Sequence, residues 1–100
     1  MPQLKPQVVC TNLSDHITSI YSILDQVHLQ SAGREAIITS CRDGSHMSGS
    51  KHYSREALDL RTRDLTAGVI DSLVTGLRNA LGSDYDVLFE GDHIHIEYDP

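Results

Sequence analysis

The chain has 100 residues, with 14 Asp and Glu against eight Lys and Arg, giving a formal net charge of −6. That length makes one domain, residues 1–100, with a real but modest core. The acidity argues against a nucleic-acid backbone as partner, because no basic stripe exists to displace counterions. Five aromatic residues and no Trp argue equally against a carbohydrate platform or a stacking surface for single strands.

The opening Met1-Pro2-Gln3-Leu4-Lys5-Pro6 has no charged region followed by an apolar core, so no signal peptide is expected. No apolar run nears the ~20 residues that span a bilayer. Synthesis in the cytoplasm, without membrane insertion, is the expectation. Residues 1–10 read as an extended lead-in, since Pro2 and Pro6 block helix. Leu13, Ile17, Ile20, Leu24 and Val27 fall on one face of a helix, with Asn12 or Ser14 as N-cap and Ser31-Ala32-Gly33 as the stop. His16 and His28 are placed away from that stripe. Ala36–Ser40 reads as a short strand, 42–51 as a polar Gly/Ser loop whose length means it is either disordered or functional, and 56–60 as a second strand.

A second helix is predicted from Asp64 or Thr66 to Leu81. Its stripe is Val69, Ile70, Leu73, Leu77 and Leu81, and Gly82 follows as the cap. Gly68 and Gly76 weaken it slightly. Tyr85–Phe89 and His93–Tyr98 then form a hairpin about Glu90-Gly91-Asp92. Alternation in the last strand puts His93, His95 and Glu97 on one face and Ile94, Ile96 and Tyr98 on the other. The fold class is therefore α+β: a small, mainly antiparallel sheet with two helices on one face and a polar, His-bearing front on the other. Cys10 and Cys41 fit no disulfide scaffold or zinc ribbon. Two reduced, buried thiols are expected, with a single bridge between them as the alternative.

Chemistry concentrates in two clusters. Ser50-Lys51-His52 is followed seven residues later by Asp59, and Asp92-His93-Ile94-His95 closes the chain. A catalytic zinc takes three protein ligands and keeps one open position for water. His52, Asp59 and His95 supply that set and leave a net positive centre that acidifies bound water. Taken alone, the same residues also read as a loop histidine and an exposed polar strand face. The remaining acids, Asp71, Asp84, Asp86 and Asp99 among them, read as solvated surface.

Ser50-Lys51-His52-Tyr53-Ser54-Arg55-Glu56-Ala57-Leu58-Asp59 resembles the Ser-x-His-x-x-Gly-x-Ala-x-Asp motif of the zinc D-alanyl-D-alanine carboxypeptidase and L-alanyl-D-glutamate endopeptidase family. Asp92-His93-Ile94-His95 resembles that family's second motif, an acid three positions before the last zinc-binding histidine. The order of strand, Arg-bearing loop, first motif, helix and second motif is similar to its compact phage-type members, over roughly residues 36–99. The resemblance implies one Zn(2+) per chain held by His52, Asp59 and His95. It implies Asp92 as the carboxylate that takes a proton from water and hands it to the leaving amine. Arg42 resembles the arginine that holds a substrate carboxylate or carbonyl oxygen. His93, Ser50 and Tyr53 stand as supporting or substrate-contacting residues, and Glu90 as the alternative base.

The implied activity is hydrolysis of an amide in peptidoglycan peptide, of D,D-carboxypeptidase or L,D-endopeptidase type, acting at the bacterial cell wall if the protein is phage-encoded or released. One departure bears on it: Arg55 stands where the family has glycine, which alters the turn and access to the site. That departure suits the rival reading, a non-catalytic zinc-binding domain such as a phage structural or binding component that keeps the fold.

Overall fold

The computed structural model describes residues 1–6, 15–41 and 56–100. Their elements run β1 (Gln3–Leu4), α1 (Asp15–Thr18), α2 (Tyr21–Ala32), β2 (Ile37–Ser40), β3 (Ala57–Arg61), α3 (Ala67–Leu81), β4 (Tyr85–Phe89) and β5 (His93–Tyr98). The strands form one sheet in the order β1-β2-β3-β5-β4. Among the described residues only the β1–β2 pairing is parallel; β2–β3, β3–β5 and β4–β5 are antiparallel. The α+β class and the mainly antiparallel sheet match the sequence expectation.

Period-2 alternation sorts the sheet into two faces. Ile38, Leu58, Leu60, Val87, Ile94 and Ile96 turn to one side and join Ile17, Ile20, Leu24, Val27, Leu73 and Leu77 from the helices in a single core. Most of these side chains are fully buried, each contributing roughly 1.5–3 kcal/mol against exposure. The opposite face carries Asp59, His93, His95 and Glu97. Cross-strand pairing therefore fixes which side chains meet there.

The second long helix follows its sequence signals closely. Thr66 is the N-cap, its Oγ1 accepting from the Val69 amide at 3.3 Å, and Gly82 ends the helix with φ 81°. Gly76 has a packing reason: a Cβ there would lie 3.0 Å from Val27 Cγ1, so its absence lets α3 approach α2. Arg78 of α3 donates through Nε and Nη2 to the Val87 carbonyl, at 3.0 and 2.8 Å, tying helix to sheet. Gly91, with φ 90°, turns the β4–β5 hairpin, closed by Glu90 N–H donating to His93 O at 2.9 Å.

Four sequence expectations need correction. The first helix is not continuous, because it breaks at Ser19 and Ile20. The Ser19 hydroxyl donates to His16 O at 3.3 Å, and the Ile20 amide tightens onto Ile17 O, a local alternative that Ser readily offers. His28 does not lie off the apolar stripe: it is fully buried, with Nδ1 2.7 Å from Leu24 O. It sits four residues after Leu24, one helical turn along the same face. Asp25 is not solvated surface; it is buried and accepts from the Ala36 amide at 3.1 Å. Cys41 is buried and disulfide-bonded rather than a reduced thiol. Cys10 lies outside the described residues.

Candidate metal centre

Strands β3 and β5 run antiparallel in a register that sets Asp59 directly opposite His95, Ala57 opposite Glu97 and Arg61 opposite His93. Side chains of such directly opposed residues touch, so a carboxylate and an imidazole 36 positions apart in sequence meet on two rigid strands. Thr39 of β2 adds a third strand, its hydroxyl 3.5 Å from the Asp59 carbonyl.

Both nitrogens of His95 face carboxylates. Nδ1–H donates to Asp59 Oδ1 at 2.9 Å and Nε2–H to Glu97 Oε1 at 2.8 Å. His95 and Asp59 are both buried, at 9% and 7% exposure, which strengthens those bonds. The hydrogen bond to Asp59, seconded by Glu97 and outweighing the cost of burial, raises the His95 pKa to about 9. His93 is bracketed in the same manner. Its Nδ1 lies 2.6 Å from Asp92 Oδ1, and its Nε2 lies 3.1 Å from Glu90 Oε1 and 3.7 Å from Asp59 Oδ2. Burial disfavours the His93 cation, yet Asp92, Asp59 and Glu90 together still raise its pKa.

The donor set suits a divalent cation. Two donors of a tetrahedral zinc, each roughly 2.0–2.1 Å from the ion, lie about 3.3 Å apart; Asp59 Oδ1 and His95 Nδ1 are 2.9 Å apart. Small side-chain shifts separate them to that distance. Asp59, Glu90 and His95 each offer one ligand atom, all within 4.8 Å of one another. Glu97 holds the far nitrogen of His95, the carboxylate–imidazole brace that orients metal-ligating histidines. The His95 Nδ1 proton occupies the position a metal would take, so a cation there would have to displace that proton.

Of the residues singled out in the sequence, Asp59 and His95 are in contact, and His93 and Asp92 stand beside them. His52, Arg42, Ser50 and Tyr53 lie outside the described residues. Asp92 is exposed, but with Asp59, His93, Thr39, Lys5, Arg61 and Arg63 it lines a cleft of about 240 Å³. Glu90 lies on the other flank of His93, nearer the ligand pair. Glu97 was placed on the correct face but given no role; its spacing of two from His95 on a strand was the available signal. Arg61, two residues after Asp59 on the same face, carried the same signal.

A second acidic group, Asp86, Glu97 and Asp99, also brings its oxygens within 4.8 Å of one another. Desolvation first, then a hydrogen bond with Asp99, raises the Asp86 pKa. No protein family, curated protein or solved structure matches the chain. The likeness to zinc peptidases therefore rests on the motif residues of the sequence alone.

Proposed function

We propose that this protein is a zinc-dependent peptidase of peptidoglycan peptides, with His52, Asp59 and His95 holding one zinc ion. The observation that carries the reading is the Asp59–His95 pair: two residues from the two separate motifs, directly opposed on neighbouring strands, with donor atoms at 2.9 Å. A bound zinc supplies a Lewis acid and brings the pKa of water to near neutrality.

The chain's own residues complete the arrangement. Glu97 fixes the His95 ring. Asp92 lines the cleft beside Asp59, where a carboxylate can accept a proton from water and return it to the leaving amine. His93 bonds Asp92 on one side and Glu90 on the other, holding the base in place. Glu90, close to the ligand pair, is the alternative base.

The test uses zinc content and hydrolysis of purified peptidoglycan on the same samples. The reading expects about one zinc per chain and loss of zinc in His95→Ala. It expects Asp92→Ala to retain zinc while hydrolysis falls by about 10²–10⁴-fold. The same loss in Glu90→Gln, with Asp92→Ala active, moves the base to Glu90. Bound zinc without hydrolysis by the unaltered protein selects the non-catalytic zinc domain, which Arg55 in place of the family glycine favours.

A further inference from the structure

Eight Lys and Arg serve a chain of net charge −6, and their distribution is uneven. Arg42, Lys51 and Arg55 lie outside the described residues, which leaves Lys5, Arg34, Arg61, Arg63 and Arg78. Arg34 is engaged in a two-pronged ion pair with Asp64, and Arg78 in the Val87 carbonyl. The other three, Lys5, Arg61 and Arg63, all line the cleft that Asp59, Asp92 and His93 share. Among the described residues none of the three side chains has a hydrogen-bonding or ion-pairing partner.

The cleft is thus bipolar. Across the sheet its wall runs from Lys5 after β1, through Thr39 on β2, to Asp59 and Arg61 on β3, and on to His93 on β5. Arg61 is half-buried and Arg63 exposed. Guanidinium groups without partners, held at the edge of a concave site in an acidic protein, match a planar anion. Asp59 and Arg61 share a face two residues apart, about 7 Å along the strand. Successive peptide residues are about 3.8 Å apart. A peptide with its cleaved bond at Asp59 and His95 therefore brings a carboxylate one or two residues away to Arg61 and Arg63.

We propose that Arg61 and Arg63, with Lys5 in support, form a carboxylate-binding subsite that selects anionic peptides beside the metal centre. This inference rests on the peptidase reading for its geometry but is tested by binding rather than turnover. The carboxylate has two possible sources, the peptide's terminal carboxylate and an acidic side chain, and the guanidinium chemistry is the same for both.

The experiment titrates the full chain, with zinc added, with three forms of one peptidoglycan stem peptide. The forms are the parent acid, its C-terminal carboxamide and its side-chain carboxamide. One amidation is expected to weaken binding about tenfold or more, as loss of a charge-assisted contact does, and the form that does so names the source. In Arg61→Gln/Arg63→Gln the difference between acid and amide falls to within about twofold, at unchanged zinc content. Arg63→Gln alone, at an exposed position that folding does not depend on, gives part of that loss. Equal binding of all three forms, no binding of the parent acid, or a preference that survives in the double variant overturns the subsite. Hydrolysis of the parent peptide, read in the same samples, separates the two ideas. Selective binding without hydrolysis rejects the peptidase and keeps the subsite; hydrolysis without selectivity does the reverse.

Discussion

His95 is the side chain whose ordinary chemistry the fold changes most, because one ring meets two carboxylates. In the metal-free protein its cation is stabilised, and the direction of the resulting pH dependence follows. A folded pKa of about 9 against an unfolded value near 6.5 makes the contribution complete below about pH 6.5, and lost as pH rises from there through 9. Zinc bound at this ring, as proposed, would reverse the order, since it needs the deprotonated nitrogen. Its binding should release protons at pH 7 and strengthen as pH rises towards 9. Titration calorimetry in two buffers of different ionisation enthalpy reads that release, and none at pH 7 would show that His95 is not displaced from its proton. Glu97 sets the same ring from behind. Glu97→Gln should weaken zinc by about 10–100-fold, measured by competition with a chelator, with the fold retained.

Among the elements, α3 makes contrasting predictions at its two glycines. Gly68 has open space around it and Gly76 has Val27 at 3.0 Å. Gly68→Ala should gain up to about 1 kcal/mol from helix propensity, whereas Gly76→Leu should cost about 1–3 kcal/mol from overpacking; urea unfolding of both variants checks the pair. His28 in α2 carries a pH effect opposite in sign to that of His95. Burial lowers its pKa below 6.5, so the unfolded chain takes up a proton at mildly acidic pH that the folded chain refuses. Stability from this residue is complete above about pH 6.5 and lost as pH falls below it. Because His93 and His95 act oppositely, the effect is read as a difference between unaltered protein and His28→Leu in chelator. His28→Leu should gain relative stability from pH 7.5 to 5.5, and a constant difference would contradict buried neutral His28.

On the scale of the whole molecule, one sheet separates an apolar helix-bearing face from a polar one. That division was legible in the sequence. Strict alternation in His93–Tyr98 and the 3–4 spacing of Val69 to Leu81 assign faces from chain order alone, and β4 and β5 fall where the pattern put them. What the sequence withheld is lateral: the register that sets Asp59 opposite His95 depends on strand order β3-β5-β4, which no local pattern encodes. The break at Ser19 was hidden because Ile17 and Ile20 keep helical spacing across it. His28 and Asp25 were missed because polar residues on a helix are read as outward, although His28 lies beside Leu24 on the apolar arc and Asp25, at its edge, is buried accepting from the Ala36 amide. Lys5 joins the cleft through the parallel β1–β2 pairing, which two residues of strand cannot announce. Among the described residues no helix is long and apolar enough to cross a membrane.

The claim beneath all of this is that Asp59 and His95 share one divalent cation. X-ray absorption at the zinc edge on protein dialysed against zinc, with the metal counted on the same sample, tests it most directly. The account predicts about one zinc per chain, surrounded by nitrogen and oxygen alone, and its loss in Asp59→Ala. A site with sulfur ligands, or full zinc retention in Asp59→Ala, would contradict it.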